Sequence, residues 1–219
     1  AFELYDIVRL DHFRGFDTYW EIPADAPDAR SGQWCKGPGL PFFEKIRADL
    51  PQARIIAEDL GYIGPDVVAL RRAAGLPGMK ILQFGFGTDG TDDFLPHNWG
   101  RNFVAYTGTH DNDTVRGWWD SASERERVYA GSYLATDAGN AHWAMIRACC
   151  NSVANIAVFP LQDVLGLDGA HRMNVPGTIG AHNWTWRFSW DWLGSEPARV
   201  LGLISAASGR ASIGLLQLP

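Results

Sequence analysis

The sequence predicts an α/β fold, and three observations lead to that prediction. Short β-rich runs alternate with longer helical patterns, the β-rich runs are almost continuously apolar, and polar residues follow several of them directly. Apolar runs of this kind are typical of parallel strands that helices cover on both faces. Polar groups at the carboxyl ends of such strands are typical of a (β/α) barrel, where catalytic groups collect at that rim. An open doubly wound sheet would place its ligand similarly, but no glycine-rich phosphate loop follows any predicted strand.

Five strands and five helices are predicted, and they alternate along most of the chain. The strands are expected over residues 5–11, 54–59, 79–84, 103–107 and 155–159, and the helices over residues 41–50, 65–74, 112–120, 123–134 and 138–152. The strand candidates are short β-rich runs, whereas the helix candidates are longer. Pro65 in the first turn and Gly75 just after the last residue are typical start and stop signals of the second helix.

The number of predicted strands is smaller than a closed barrel requires. A (β/α)8 TIM barrel has eight strands and typically takes about 250 residues. Here the first of five predicted strands begins at residue 5, with no helix before it. We therefore expect this chain to form only the second half of such a barrel, strands 4 to 8 with their helices.

Composition and charge exclude several classes of partner. The 219 residues are 46% hydrophobic and 20% charged, which is enough for one domain with a sizeable core. The formal net charge is −6 and the basic residues form no stripe, so no nucleic-acid partner is expected. No apolar run approaches the roughly 20 residues of a bilayer span, and the first residues do not resemble a signal peptide. We therefore expect no membrane partner and a cytoplasmic location.

Aromatic residues and cysteines carry further information. Ten Trp, eleven Phe and six Tyr offer flat faces of the kind that stack on sugar rings, although core packing is the commoner use of any single Trp. Cys35 lies far from the adjacent Cys149 and Cys150, which suits neither a disulfide framework nor a metal site. Buried or half-buried thiols are the expectation for all three.

The first candidate site residues follow the first strand. Arg9 and Asp11 stand two residues apart, so their side chains share one face of the strand. A carboxylate buried at that rim requires a partner, and Arg9 is expected to pair with Asp11 and hold it ionised. An ionised and oriented carboxylate can act as a nucleophile. The alternative is an ion pair that only closes the end of the strand.

Further acidic residues follow two later strands. Glu58 comes after three apolar or small residues, surroundings that suit a proton donor, and Asp59 is the alternative for that role. His110 and Asp111 follow another strand, and the remaining histidines show no ligand spacing, so no metal is expected. Two carboxylates on neighbouring strands plus a third across the mouth of the barrel are typical of retaining glycoside chemistry. The residues therefore indicate glycosyl transfer or hydrolysis.

Eight strings of residues resemble one enzyme family. RLDHFRGF, SGQWCKGPG, IIAEDLG, GMKILQF, FLPHNW, YTGTHDNDT, PLQDVLGL and RMNVPGT occur in this order and cover residues 2–193. They resemble the 4-α-glucanotransferases of glycoside hydrolase family 77, the amylomaltases or disproportionating enzymes. The resemblance implies retaining transfer of α-1,4-glucan segments between malto-oligosaccharides or starch- or glycogen-derived glucans, with glucose as an acceptor. It implies no cofactor.

The resemblance also implies roles for individual residues. In RLDHFRG, Asp11 matches the nucleophile and Arg9 its partner arginine, and in IIAEDLG, Glu58 matches the acid/base. In GTHDND, Asp111 matches the carboxylate that stabilises the transition state and His110 the neighbouring histidine that binds the same sugar. Other matching positions are Asn174 near the donor subsite, and Trp34, His97 and Asn98, for which structural roles are equally open.

The chain also departs from this family in two ways. The family's catalytic domain is much longer, so residues 1–193 are expected to form a partial catalytic barrel. Residues 194–219 do not resemble the family's usual end and are expected to form an atypical tail. Two other readings stay open, an α-glucan hydrolase of the α-amylase clan and a catalytically silent glucan-binding fragment.

Overall fold

The computed structural model describes residues 1–212 and consists of two compact units. The first unit contains residues 1–79 and 102–104, and the second contains residues 80–101 and the described residues from 105 onward. Strands and helices occur in both units, which confirms the predicted α/β class. Of the expected C-terminal tail, residues 213–219 lie outside the described residues.

All five predicted strands occur, each a little shorter than expected. In chain order the strands are β1 (Val8–Leu10), β2 (Thr18–Glu21), β3 (Gln33–Lys36), β4 (Ile55–Ala57), β5 (Gly78–Ile81), β6 (Phe103–Tyr106) and β7 (Ile156–Val158). Strands β2 and β3 form an antiparallel hairpin that the sequence did not predict. Most of its residues are exposed, so the apolar run that marks a buried strand is missing there.

The expected parallel pairing is present between β1 and β4, in which Arg9 lies opposite Ile56. The described strands of the predicted half barrel do not form one continuous sheet, since β1 and β4 form one sheet and β5, β6 and β7 another. Strands β4 and β5 do not share a regular backbone hydrogen-bond ladder, and other hydrogen bonds connect their segments. The Ala57 N–H donates to the Pro77 carbonyl (2.9 Å), and the Met79 N–H donates to the Asp59 carboxylate (2.7 Å).

The five predicted helices also occur, and residues 1–212 contain two more. The α-helices are α1 (Gly39–Asp49), α2 (Pro65–Ala73), α3 (Val115–Ser121), α4 (Glu124–Leu134), α5 (Ala141–Asn151), α6 (Leu161–Val164) and α7 (Ser195–Ala207). Helix α2 begins at Pro65, and Gly75 just beyond its end has φ +71°, as expected for a stop signal. Helix α3 begins later than predicted because Thr114 caps it by accepting a hydrogen bond from the Gly117 N–H.

Each unit has its own hydrophobic cluster. In the first unit, fully buried Phe13 lies shortly after the end of β1 and contacts Phe43 of α1 (ring centroids 5.5 Å apart). This contact fixes the start of the loop after β1. In the second unit, Ile146 of α5 packs with Ile204 of α7, so the segment expected as an atypical tail contributes to the core.

Two properties of the chain bear on its environment. Cys149 and Cys150 are buried, Cys35 is partly exposed, and all three are free thiols, as expected. Among the residues that the structure describes, no helix is both long and apolar enough to cross a membrane.

Candidate active site

The first group of site residues lies at the carboxyl ends of β1 and β4. Arg9 and Asp11 form the predicted ion pair, with Nη2 of Arg9 2.8 Å from Oδ1 of Asp11. The expectation that Asp11 is buried is wrong, because 75% of its side chain is exposed. Solvent therefore screens the ion pair.

Glu58 is held by the backbone of the loop that carries Asp11. Its Oε2 accepts a hydrogen bond from the His12 N–H (2.7 Å), and its Oε1 accepts one from the Leu60 N–H (2.9 Å). His12 has φ +47°, a left-handed conformation that histidine adopts more readily than bulkier residues. The structure therefore brings the loop of Asp11 and the carboxylate of Glu58 together through a direct hydrogen bond.

Asp59, the alternative to Glu58, occupies a different environment. Its Oδ2 lies 2.9 Å from Nε of Arg71 in α2, and only 8% of its side chain is exposed. Arg71 also lies over the ring of Phe103 (4.5 Å), and burial lowers the pKa of its guanidinium. Asp59 is thus engaged in a buried ion pair, whereas Glu58 is only half-buried. The sequence offered one signal for this pair, since Arg71 stands four residues after the buried Val67 on the same face of α2.

Arg14 joins the loop after β1 to the loop after β4. Its Nη1 donates to the Tyr62 carbonyl (3.0 Å), and its guanidinium lies 4.6 Å from the centre of the Trp34 ring. Trp34 lies on β3 opposite Trp20 and is 57% exposed. Arg14 therefore holds the hairpin and both loops together, a role that was not predicted from the sequence.

The second group of site residues lies in the second unit, where His110 and Asp111 belong to the loop between β6 and α3. Nδ2 of Asn174 donates to Oδ1 of Asp111 (2.7 Å), and Nε2 of His110 lies 3.3 Å from Oδ2 of the same carboxylate. Arg172 fastens this arrangement, since it donates to the Asp111 carbonyl and to the Asn174 carbonyl (both 2.9 Å). The structure thus brings together three of the predicted residues, and it adds Arg172.

A buried carboxylate supports the loop that carries His110 and Asp111. Asp163 is 1% exposed and accepts hydrogen bonds from the Thr107 hydroxyl (2.6 Å) and the Val115 N–H (2.7 Å), one at each end of that loop. Burial raises the pKa of Asp163 to about 6, and the negative charge of Asp113 acts in the same direction. Asp163 was not predicted from the sequence, because its partners stand far from it along the chain.

His97 and Asn98, which belong to the FLPHNW motif, both form hydrogen bonds to the loop that contains Gly90. Both His97 ring nitrogens are engaged, with the Tyr133 hydroxyl and the Gly90 carbonyl (2.8 Å each). Asn98 donates to the same Gly90 carbonyl (3.0 Å). These contacts favour the structural role for both residues. Among residues 1–212, no three His, Cys, Asp or Glu side chains are grouped as ligands for a metal ion.

Most of the chain matches the model of one protein family. The model of glycoside hydrolase family 77, described as 4-alpha-glucanotransferase, matches residues 1–192. The chain belongs to glycoside hydrolase family 77. This confirms the resemblance found in the eight sequence strings.

Curated relatives in family 77 share nearly half of their aligned residues with this chain. The chloroplastic/amyloplastic 4-alpha-glucanotransferase DPE1 of Arabidopsis thaliana is 46% identical over 211 residues, which cover 94% of this chain and 36% of the relative. The 4-alpha-glucanotransferase of Thermus thermophilus is 45% identical over 219 residues, which cover 96% of this chain and 43% of the relative. The chain thus spans less than half the length of the relatives it matches.

Solved structures of amylomaltases are also similar. The amylomaltase of Streptococcus agalactiae, in complex with acarbose, superposes with a TM-score of 0.91 at 36% identity. The superposition covers 96% of this chain and 43% of the S. agalactiae chain. The amylomaltase of Corynebacterium glutamicum, at 17% identity and a TM-score of 0.71, shows similarity of fold alone.

Proposed function

We propose that this chain carries the catalytic carboxylates of a 4-α-glucanotransferase. The observation that carries the proposal is the hydrogen bond from the His12 N–H to Glu58, because it joins the Asp11 loop to a second carboxylate at the ends of paired parallel strands. The family match supports α-1,4-glucans as substrates, namely malto-oligosaccharides and starch- or glycogen-derived glucans, with glucose as an acceptor. No added cofactor takes part in the proposed reaction.

Asp11 and Glu58 take the two roles of a retaining mechanism. In the first step, the Asp11 carboxylate attacks the anomeric carbon, the bond to the leaving glucan breaks, and Glu58 gives its proton to the leaving oxygen. In the second step, Glu58 takes the proton of an acceptor hydroxyl, whose oxygen attacks the anomeric carbon and releases Asp11. The ion pair at 2.8 Å supports a role of Arg9 in aiming the nucleophile.

Asp111, His110 and Asn174 bind the sugar that changes shape during attack. Asp111 is held by Asn174 and Arg172 in a fixed orientation, so it can hold sugar hydroxyls more tightly in the oxocarbenium-like transition state than in the substrate. His110 and Asn174 each keep hydrogen-bonding capacity for the same sugar.

The barrel itself is part of the proposal. Strands β1, β4, β5, β6 and β7 are assigned as strands 4 to 8 of a (β/α)8 barrel, and residues 1–193 as the partial catalytic domain. The parallel pair of β1 with β4 and the similarity to the S. agalactiae amylomaltase support this assignment.

Incubation with maltotriose and separation of the products tests the reaction. Transfer predicts a ladder of longer maltodextrins together with glucose, and Asp11→Asn should abolish the ladder. Glucose and maltose alone would favour the hydrolase, and unchanged maltotriose would favour the silent fragment.

A chimera gives the same test within a complete family member. Residues 1–192 replace the matching segment of the Thermus thermophilus enzyme, which supplies the rest of its own length. The proposal predicts that the chimera transfers glucan and that Asp11→Asn in the grafted segment abolishes transfer. A grafted Asp11→Asn chimera with undiminished transfer, or an inactive folded chimera, would contradict the proposal.

A further inference from the structure

Trp184 has a backbone conformation that large L-residues rarely adopt. Its φ is +64°, in the left-handed region, where a bulky side chain is strained. Gly177 in the same segment has φ +74°, and there the chain uses the residue that tolerates such angles. The presence of Trp rather than Gly at position 184 therefore requires an advantage that offsets the strain.

Hydrogen bonds on both sides hold Trp184 in this conformation. The Trp184 N–H donates to the Met173 carbonyl (2.8 Å). The preceding residue, Asn183, accepts a hydrogen bond from the Val175 N–H (3.0 Å) and donates to the Thr178 carbonyl (3.1 Å). The surrounding loop thus fixes the strained residue, as is typical of functional sites.

The indole ring of Trp184 lies beside the second group of site residues. Its ring centre is 5.1 Å from that of His110, and 57% of Trp184 remains exposed. His110 contacts the Asp111 carboxylate, and Asn174, which follows Met173, donates to that carboxylate. An exposed aromatic ring therefore borders a set of partly exposed polar groups.

This combination matches the chemistry of a pyranose ring. A pyranose carries hydroxyls around its edge and C–H groups on its faces, and the electron-rich face of an aromatic ring attracts such C–H groups. We propose that Trp184 is the stacking wall of a pyranose subsite whose polar side consists of Asp111, His110 and Asn174. The identification of the sugar as α-1,4-linked glucose rests on the proposed function.

Calorimetric titration with maltotriose tests the subsite. The parent protein carries Asp11→Asn so that the ligand is not consumed. Trp184→Ala should weaken maltotriose binding at least about tenfold, and Trp184→Phe should weaken it less, because a smaller aromatic face remains. Trp190→Ala is the matched control, since Trp190 is also exposed (78%) in the second unit, and binding should stay within about twofold of the parent. Binding by Trp184→Ala within twofold of the parent, or no binding by the parent itself, would overturn the proposal.

Urea unfolding tests the strain independently of any ligand. Gly tolerates the φ of Trp184 better than Ala, so Trp184→Gly should unfold at a higher urea concentration than Trp184→Ala. At Trp190, which is not among the residues with positive φ, the order should be reversed. The same order at both positions would show that Trp184 is not strained.

The failure of this inference is distinguishable from failure of the proposed function. In one outcome, maltotriose binds through Trp184, but the protein with Asp11 intact hydrolyses it or leaves it unchanged. This outcome would contradict the proposed transferase function without contradicting the Trp184 subsite. In the other outcome, the protein transfers glucan and Trp184→Ala binds maltotriose as tightly as the parent. This outcome would contradict the Trp184 subsite without contradicting the proposed transferase function.

Discussion

Two buried carboxylates, Asp59 in the first unit and Asp163 in the second, support loops that carry candidate catalytic residues. Asp59 follows Glu58 directly and is paired with the guanidinium of Arg71. Asp163 spans the ends of the loop of Asp111 and receives its hydrogen bonds from neutral donors, the Thr107 hydroxyl and the Val115 N–H. Among residues 1–212, no cation forms an ion pair with Asp163.

The two carboxylates therefore support their loops by different electrostatic means. A buried carboxylate with a cation depends on that cation, because removal of the partner leaves an uncompensated charge. A buried carboxylate with neutral partners depends on pH instead, because protonation relieves the desolvation of its charge. The two supports should therefore respond to different perturbations.

The largest expected effect is that of removing the cation from the first support. Arg71→Met should lower the free energy of unfolding by about 3–5 kcal/mol, because the buried Asp59 carboxylate then loses the opposite charge of Arg71. Arg72→Met, at the exposed neighbouring position of the same helix, should change it by less than about 0.5 kcal/mol. Urea unfolding of both variants checks this, and a loss below about 1 kcal/mol for Arg71→Met would show that the pair is dispensable.

The second support should respond to pH. Because burial raises the pKa of Asp163 to about 6 from the ordinary 3.8, the folded protein binds this proton more tightly than the unfolded chain. The contribution of Asp163 to the free energy of unfolding therefore falls as pH rises from about 4 to about 6, by about 3 kcal/mol.

Asp163→Asn removes this titration. Relative to the unsubstituted protein, the variant should gain stability between pH 4 and pH 6, and the gain should stay constant above pH 7. Urea unfolding at a series of pH values measures this, with the exposed Asp120→Asn as control. Parallel stability curves for Asp163→Asn and the unsubstituted protein across this range would contradict the account.

The smallest effect on stability is expected for the exposed ion pair. Arg9→Met should change the free energy of unfolding by less than about 1 kcal/mol, because water already screens Asp11. The rate of transfer should nevertheless fall by about tenfold to a hundredfold, because Asp11 loses the group that aims it. A stability loss as large as that of Arg71→Met, with transfer unchanged, would identify the pair as purely structural.

Local signals in the sequence predicted much of the fold and part of the site. Short apolar runs predicted every strand that lies in the β1–β4 or β5–β6–β7 sheet, and the two-residue spacing of Arg9 and Asp11 predicted their pairing. The hairpin of β2 and β3 escaped prediction because neither strand has a buried face.

Long-range contacts account for what the sequence did not reveal. Asp163 stands 56 residues from Thr107, and only folding shows that its carboxylate spans a loop. Helical spacing places Arg71 on the buried face of α2 but does not identify Asp59 as its partner, so the choice between Glu58 and Asp59 required the structure. Side chains whose partners are distant in sequence, including Arg14 and Arg172, were missed for the same reason.

Trapping the covalent intermediate tests the assignment of nucleophile and acid/base most directly. Glu58→Gln in the family 77 chimera is incubated with an activated maltosyl donor, whose leaving group needs no proton, and peptide mass spectrometry locates the adduct. The account predicts a maltosyl ester on Asp11, formed in the first step and stranded because the second step lacks its base. An adduct on Asp59, or no adduct on a folded chimera that consumes the donor, would contradict it.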